Sequence, residues 1–435
     1  MKASWTEIIP EDEFRGLAQE HSRNFLKIYS FLRSERRSHT RKFYSYLIAE
    51  SEELESFLDD HCARDNRTWH YFGELVASIR NLSKVAFILE HTLNRYHAYD
   101  LENDESNQFL KDARGVSQFL EDTISSMFDE IKDEALRLGM VFPEETLRED
   151  SFGEYYPQKR LPANIDEEEE SDGKRVVAKL ASQYLGVISK VEHFEWSNGK
   201  CDPDQLRCVV PSKVDEERSR EIQALVHNMQ STYDHHIRRT PLEMQDESLK
   251  RFRSFISMPM HLMSIVNWLS HLYERHILTA RPAREGKGIP FIVDVTKTLD
   301  VIVNFALFHM NRYLKTGKDL ACEILAKYTE VDTCELRVPE KLGFHLRPAS
   351  LIVKLVKHYG TKLILIVDGK EFDASNVLSI TMAAGLIARK GYKTVTFEGD
   401  KRVLDDLKLL SRCNFGEDEK GNPTSPPEEL FYLWT

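Results

Sequence analysis

A surplus of positive charge is missing from this sequence. Its 59 Lys and Arg stand against 71 Asp and Glu, for a formal net charge of −12 and a sequence pI near 5.8. A nucleic-acid partner asks for a basic footprint, so nucleic acid is excluded as the main partner. A long unbroken apolar run is missing too. The most apolar long window, residues 255–273, carries Pro259, His261, Asn267 and His271; it predicts a buried helix and no membrane span. The opening MKASWTEIIPEDEFRG lacks the apolar core of a signal peptide. Cysteine is sparse: Cys62, Cys201, Cys208, Cys322, Cys334 and Cys413 are too scattered for the dense framework of a small secreted scaffold. These absences predict a soluble, cytoplasmic protein.

Several catalytic signatures are also lacking. Gly317-Lys318 has neither the earlier glycine nor the following hydroxyl of a phosphate-binding loop, so any phosphate must come from elsewhere. No H-E-x-x-H occurs, and none of the sixteen histidines has a glutamate three residues before it, which excludes the Glu-x-x-His pairs of di-iron bundles. Cys201, Cys208 and His193 are one ligand short of a zinc site. We therefore expect no metal site and no cofactor. His235-His236 read as surface residues, and the basic cluster Arg33, Arg36, Arg37, Arg41 and Lys42 as a solvated helix face, the alternative being a site for an acidic partner or the acidic linker.

What is present is enough apolar residue, 41% against 30% charged, to fill the cores of several domains. Residues 1–143 carry helical periodicity. In TWHYFGELVASIRNLSKVAFILEHTLNRYHAY, Trp69, Phe72, Leu75, Val76, Ile79, Leu82, Ala86, Leu89 and Leu93 recur three or four apart, with Asn66 or Thr68 as cap. Residues 105–138 bring Phe109, Val116, Phe119, Leu120, Ile124, Phe128 and Ile131 to one side. Such stripes must pack on each other. Pro143, Pro157, Pro162 and the acidic run Asp166 to Glu170 then predict a linker over 144–173. A second all-α region spans 174–330, with helices over 174–193, 214–239, 247–278 and 293–328 and a kink at Pro259. From 331 to 412 the pattern becomes strand, helix, strand, strand, helix, strand, helix, a compact α/β sandwich. A loop-like tail, 413–435, ends in the apolar LFYLWT, expected to tuck against the body. The fold class is thus multidomain: an all-α body followed by an α/β open-faced sandwich with an antiparallel sheet.

Within GFHLRP, Pro348 suits the first turn of a helix, where no amide partner is needed. His345 then lies at the helix N-terminus, beside unpaired N–H groups and the positive pole of the dipole. Arg347 adds a fixed cationic fork suited to phosphate oxygens, and Gly343 permits tight chain entry. Both positive features favour the neutral, nucleophilic imidazole and an anion placed on its ring nitrogen. The dipole alone supplies only about 0.3–1 kcal/mol, so Arg347 and the amides must do more. The arrangement suits acceptance of a phosphoryl group; a bond-cleaving triad lacks its orienting partner.

The stretch from Cys334 to Arg412 resembles HPr, the histidine-containing phosphocarrier protein of the sugar phosphotransferase system. The resemblance lies in GFHLRPAS, VDGKEFDAS, the spacing between them, and FEGD. It implies a βαββαβα fold and His345 as phosphoryl acceptor, with Arg347 and Pro348 shaping the site. An enzyme I-like donor would be the partner, contacted through Phe344, Val377 and Leu378. Asn376 stands where many members carry a serine phosphorylated by a regulatory kinase. Members are small free proteins, whereas here residues 1–330 come first. The leading function is a phosphocarrier or phosphorylation-dependent regulator whose helical region serves an unidentified client. The alternative is a scaffold in which the HPr-like domain only binds and His345 is idle. One further expectation concerns LILIV. Leu363, Leu365 and Val367 should face the domain's helices, and Ile364 and Ile366 the open face. Leaving both isoleucines in water forgoes roughly 1.5–3 kcal/mol each, so that face is expected to dock against the helical body or the LFYLWT tail.

Overall fold

A computed structural model describes residues 8–34, 39–101, 106–147, 170–192, 199–279, 286–339, 341–418, 422–424 and 427–433. Two compact units emerge. The first contains residues 1–165, 192–227 and 254–313; the second contains 166–191, 228–253 and 314–435. Most of the predicted linker, residues 148–169, lies outside the described residues, as do Arg36, Arg37 and His193.

The first unit is built on helices α1 (Glu11–His21), α2 (Arg23–Ser34), α3 (Arg41–Asp60), α4 (His70–Arg95) and α5 (Ser106–Arg137). The stripe read from the sequence is the buried side of α4: Phe72, Leu75, Val76, Ile79, Leu82 and Leu89 are shut from water. Facing them from α5 are Phe109, Leu120, Ile124, Phe128 and Ile131. Asn66 does not cap α4 directly. Its Oδ1 accepts from the amides of Thr68 (2.7 Å) and Trp69 (3.2 Å), shaping the turn just before the helix. Arg33 is ion-paired with Asp129, and the Arg41 guanidinium lies 4.7 Å from the Phe87 ring centroid.

Helix α6 (Glu170–Glu192) starts four residues before the expected position, inside the predicted linker. Then come α7 (Pro203–Val209), α8 (Glu216–His236), α9 (Pro241–Gln245) and α10 (Glu247–His271), which runs through Pro259. The predicted helix 293–328 is subdivided into α11 (Val295–Asp300), a π-helical stretch at Val301–Leu307 and α12 (Phe308–Tyr328). In the second unit, Asp246 ends α9 and accepts from Lys327 Nζ (2.8 Å) and Tyr328 Oη (2.6 Å) at the end of α12. No described helix is long and apolar enough to cross a membrane.

The second unit also holds the α/β sandwich. Strand β1 (Val331–Arg337), helix α13 (Leu346–Tyr359), β2 (Leu363–Val367), β3 (Lys370–Asp373), α14 (Val377–Lys390), β4 (Thr394–Asp400) and α15 (Lys401–Arg412) follow the expected order. The four strands form one antiparallel sheet, ordered β1-β4-β2-β3. Gly399 on β4 is held to glycine by close approach. A Cβ there would stand 2.7 Å from the Lys362 carbonyl oxygen. Leu363, Leu365 and Val367 are buried among Ile352, Leu355, Val356, Phe397, Leu404 and Leu407, so one face of the sheet carries all three helices. The tail completes this core rather than hanging from it. Leu430 and Leu433 are buried with it, and Tyr432 stacks on His358 at 4.0 Å and donates to Asp406.

The docking expectation for Ile364 and Ile366 is corrected in part. Both are half-buried, yet their cross-strand neighbours Glu398, Asp373 and Glu371 are exposed, as are Thr333 and Glu335 on β1. The tail goes to the helix side, where Lys354 Nζ donates to the Leu433 carbonyl (2.9 Å). The isoleucines are thus only partly shielded, and the sheet's outer face stays largely open.

Candidate functional site

The site is made where β1 gives way to α13. Gly343 has φ +62°, the left-handed region that favours glycine, and the His345 amide donates back to its carbonyl (2.8 Å). This tight turn drives Phe344 inward. Phe344 is completely buried, edge-on to Phe397 (6.0 Å) and Phe415 (5.2 Å). The expectation that Phe344 meets a partner is therefore corrected: its ring fixes the loop from below. His345 occupies the N-cap of α13 with extended backbone and no side-chain cap bond, so its ring is free for other contacts. Pro348 lies buried in the first turn, where the missing amide hydrogen costs nothing.

The decisive neighbour comes from the tail. Glu417 Oε1 is 2.9 Å from His345 Nε2 and 2.9 Å from Arg347 Nη1. The Glu417 side chain is 2% exposed, against 30% for His345 and 42% for Arg347. Nε2 is itself shut from solvent, and its line to Oε1 misses good hydrogen-bond alignment, so the two atoms are in close polar contact without a formed hydrogen bond. Apo sites are often loosely aligned in this way.

Glu417 is carried there by a reversal after α15. Asn414, Phe415 and Gly416 all take left-handed φ values of 47°, 56° and 80°. That conformation costs a bulky residue about 1–3 kcal/mol; burying Phe415 under Phe344 offsets it. Hydrogen bonds from Phe415 N to Leu410 O (2.9 Å) and from Thr424 N to Gly416 O (3.0 Å) close the turn. Sequence reasoning passed over Glu417 because an acid in a polar tail carries no motif. Asn-Phe-Gly directly after a helix was the one local hint of a built turn.

Asn376 is the N-cap of α14, its Oδ1 accepting from the Leu378 amide (2.8 Å). Val377 is half-buried and Leu378 is 67% exposed. Leu342 and Leu346 beside His345, and Met382 one turn beyond Leu378, are exposed as well. Cys201 and Cys208 are free thiols, and no group of three or more His, Cys, Asp or Glu among the described residues is arranged to hold a metal. Cys201 instead exchanges backbone hydrogen bonds with the Asn304 side chain (2.7 and 2.9 Å).

A half-buried histidine at a helix start, a nearby arginine, and a βαββαβα sandwich now stand together. Residues 333–408 match the family described as the PTS HPr component phosphorylation site. The match makes this stretch an HPr domain, and Phe344 to Pro348 fall inside it. Glu417 and the buried tail lie beyond its last matched residue. Nothing is recognised in the helical residues before the HPr domain, and no curated protein or solved structure matches the chain.

Proposed function

We propose that His345 accepts a phosphoryl group from an enzyme I-like donor, and that the chain acts as a phosphocarrier or phosphorylation-dependent regulator of sugar transport in the cytoplasm. The observation carrying this reading is the His345 ring at the N-terminus of α13, within the HPr domain and next to Arg347. In the transfer, a ring nitrogen forms a bond to phosphorus while the donor's bond to phosphorus breaks and its electron pair leaves with the donor. The first-turn amides of α13 and the Arg347 guanidinium stabilise the incoming oxygens. Leu342, Leu346, Leu378 and Met382 offer an apolar surface to the donor. Val377, half-buried, borders that surface. Asn376, which has no hydroxyl, gives a regulatory kinase nothing to modify. The client of the helical region is a protein of unassigned identity.

The test is incubation with enzyme I and labelled phosphoenolpyruvate. Acid-labile, base-stable label that disappears in His345→Ala is expected. Undiminished label in that variant would mean another acceptor. The same exposed apolar side chains would equally serve a docking module that transfers nothing; failure to take label from enzyme I would favour that second reading.

A further inference from the structure

We propose that the short hairpin carrying Glu417 is an autoinhibitory latch. Its carboxylate stands where an anion would pair with Arg347, withdraws for phosphorylation, and is kept out while His345 carries phosphate. The proposal rests on the phosphoryl-acceptor reading of His345 and names the regulation of that same site. Arg347 Nη1 donates to Glu417 Oε1 at 2.9 Å, and the same oxygen lies 2.9 Å from the His345 ring. The cation that would meet phosphoryl oxygens is thus already paired with an internal carboxylate, itself almost closed to water. A phosphoryl group on the ring brings roughly two negative charges. It would face this carboxylate where like charges are poorly screened. The closed latch and the phosphorylated histidine therefore oppose one another. By linkage, whatever phosphate costs the closed latch, the closed latch costs phosphoryl acceptance in return.

The chain is built so that this contact can open without unfolding the domain. Glu417 bridges Pro423 in antiparallel fashion. The Asp418 amide donates to the Asn422 carbonyl (2.9 Å) and the Thr424 amide to the Gly416 carbonyl (3.0 Å). Asn422 and Pro423 form an exposed outer side. The anchors lie outside this hairpin: Phe415 before it, packed under Phe344, and Leu430 and Leu433 after it, sunk in the core. The hairpin can lift while both anchors stay seated. A two-stranded hairpin standing alone is marginally stable, so its closed position depends on the contacts Glu417 makes. On transfer, a ring nitrogen bonds to phosphorus while the donor's bond to phosphorus breaks, its electron pair leaving with the donor. Arg347 exchanges the carboxylate for phosphoryl oxygens, and the hairpin is released.

Two measurements on the full chain test it. The first is reaction with phosphoramidate, a small donor that needs no enzyme I and releases ammonia, with phosphate on the His345 peptide followed by mass spectrometry. In Glu417→Gln the side chain keeps its shape and can still accept from Arg347, but it carries no charge. This variant should be phosphorylated at His345 about tenfold faster than wild type. Equal or slower reaction would refute the latch. The second is hydrogen exchange of residues 414–424 in the wild type, before and after phosphorylation by phosphoramidate. The Asp418 and Thr424 amides should exchange faster in the phosphorylated protein. Unchanged protection would mean that the hairpin stays closed over phosphohistidine, and would overturn the proposal. Labelling of His345 by phosphoramidate but not by enzyme I would defeat the phosphocarrier reading alone, because both tests of the latch need only the small donor.

Discussion

At the scale of single residues, neighbours in sequence have divergent duties. Phe344 and His345 are adjacent, yet one ring is sealed in the core and the other meets solvent. Phe344→Ala should therefore cost about 3–5 kcal/mol of stability, read by chemical denaturation of the HPr region, whereas His345→Ala should change stability by about 0.5 kcal/mol or less. An equal effect of the two substitutions would contradict the assigned roles. Arg347 lies between these cases. Removing it strips the buried Glu417 of a charged partner, so Arg347→Ala should slow phosphorylation and also lower stability by about 1–3 kcal/mol. The exposed Leu378 should behave oppositely to Phe344. Leu378→Ala is expected to leave the denaturation midpoint unchanged and to raise the enzyme I concentration needed for half-maximal labelling.

At the scale of elements, the C-terminal tail belongs to the sandwich. Leu430 and Leu433 lie in the same buried cluster as Leu355 and Leu407, and the Leu433 carbonyl receives the Lys354 ammonium. Leu430→Ala should cost about 2–5 kcal/mol, measured as a shift in denaturant midpoint; a neutral result would mean that the tail contributes nothing to the domain. Because the same tail bears Glu417, loosening it should also speed labelling of His345. The junction of α9 with α12 has its own pH signature. Burial pushes the Asp246 carboxyl up, but hydrogen bonds from Lys327, Ser248 and Tyr328 outweigh it and hold the group down to about 2. A carboxylate depressed in the fold contributes stability above its unfolded value near 4. That stability, about 2 kcal/mol or less, is lost as pH falls from roughly 4 to 2. Asp246→Asn should be less stable than wild type at neutral pH, and the gap should close in acid.

At the scale of the whole molecule, the histidines of the first unit set an earlier acid limit. Burial pushes His39 down to about 4, and burial with nearby Arg41 and Arg95 does the same to His91. Both rings are neutral in the fold and take up protons more readily when unfolded. Their linkage leaves stability intact above about pH 6.5 and erodes it as pH falls towards 4. Thermal unfolding at pH 7.5 and pH 5 should show a lower Tm at pH 5, and His39→Phe should reduce that difference. If the drop were the same size in the variant, His39 would not be its source. The second unit carries His358, also pushed down by burial, so it too loses stability below about pH 6.5, and Asp246 adds a further loss in stronger acid.

Much of this molecule was written in local pattern. The 3.6-residue stripe from Phe72 to Leu89 had one way to leave water, and α4 buries it as expected. Pro348, with no amide hydrogen to satisfy, fixed the start of α13 and hence the place of His345. LILIV, DGK and KTVTFEGD announced the strands because alternation and turn residues act over a few neighbours. What escaped the sequence depends on residues far apart along the chain. Phe344 reads like any apolar residue beside a motif; only packing with Phe397 and Phe415 decides that it faces inward. Ile364 and Ile366 looked as if they needed a docking partner, but both are half-buried beside exposed cross-strand neighbours. Glu417 lies 72 positions after His345 in a segment without periodicity. No local rule relates the two; the reversal at Asn414 to Gly416 and the burial of Phe415 bring the carboxylate to the imidazole. The sequence by itself determined the proposed acceptor and the helix that presents it, since both follow from short-range sterics and hydrogen bonding. Tertiary structure alone decided that Glu417 faces the buried Nε2, because that depends on what the folded chain places there.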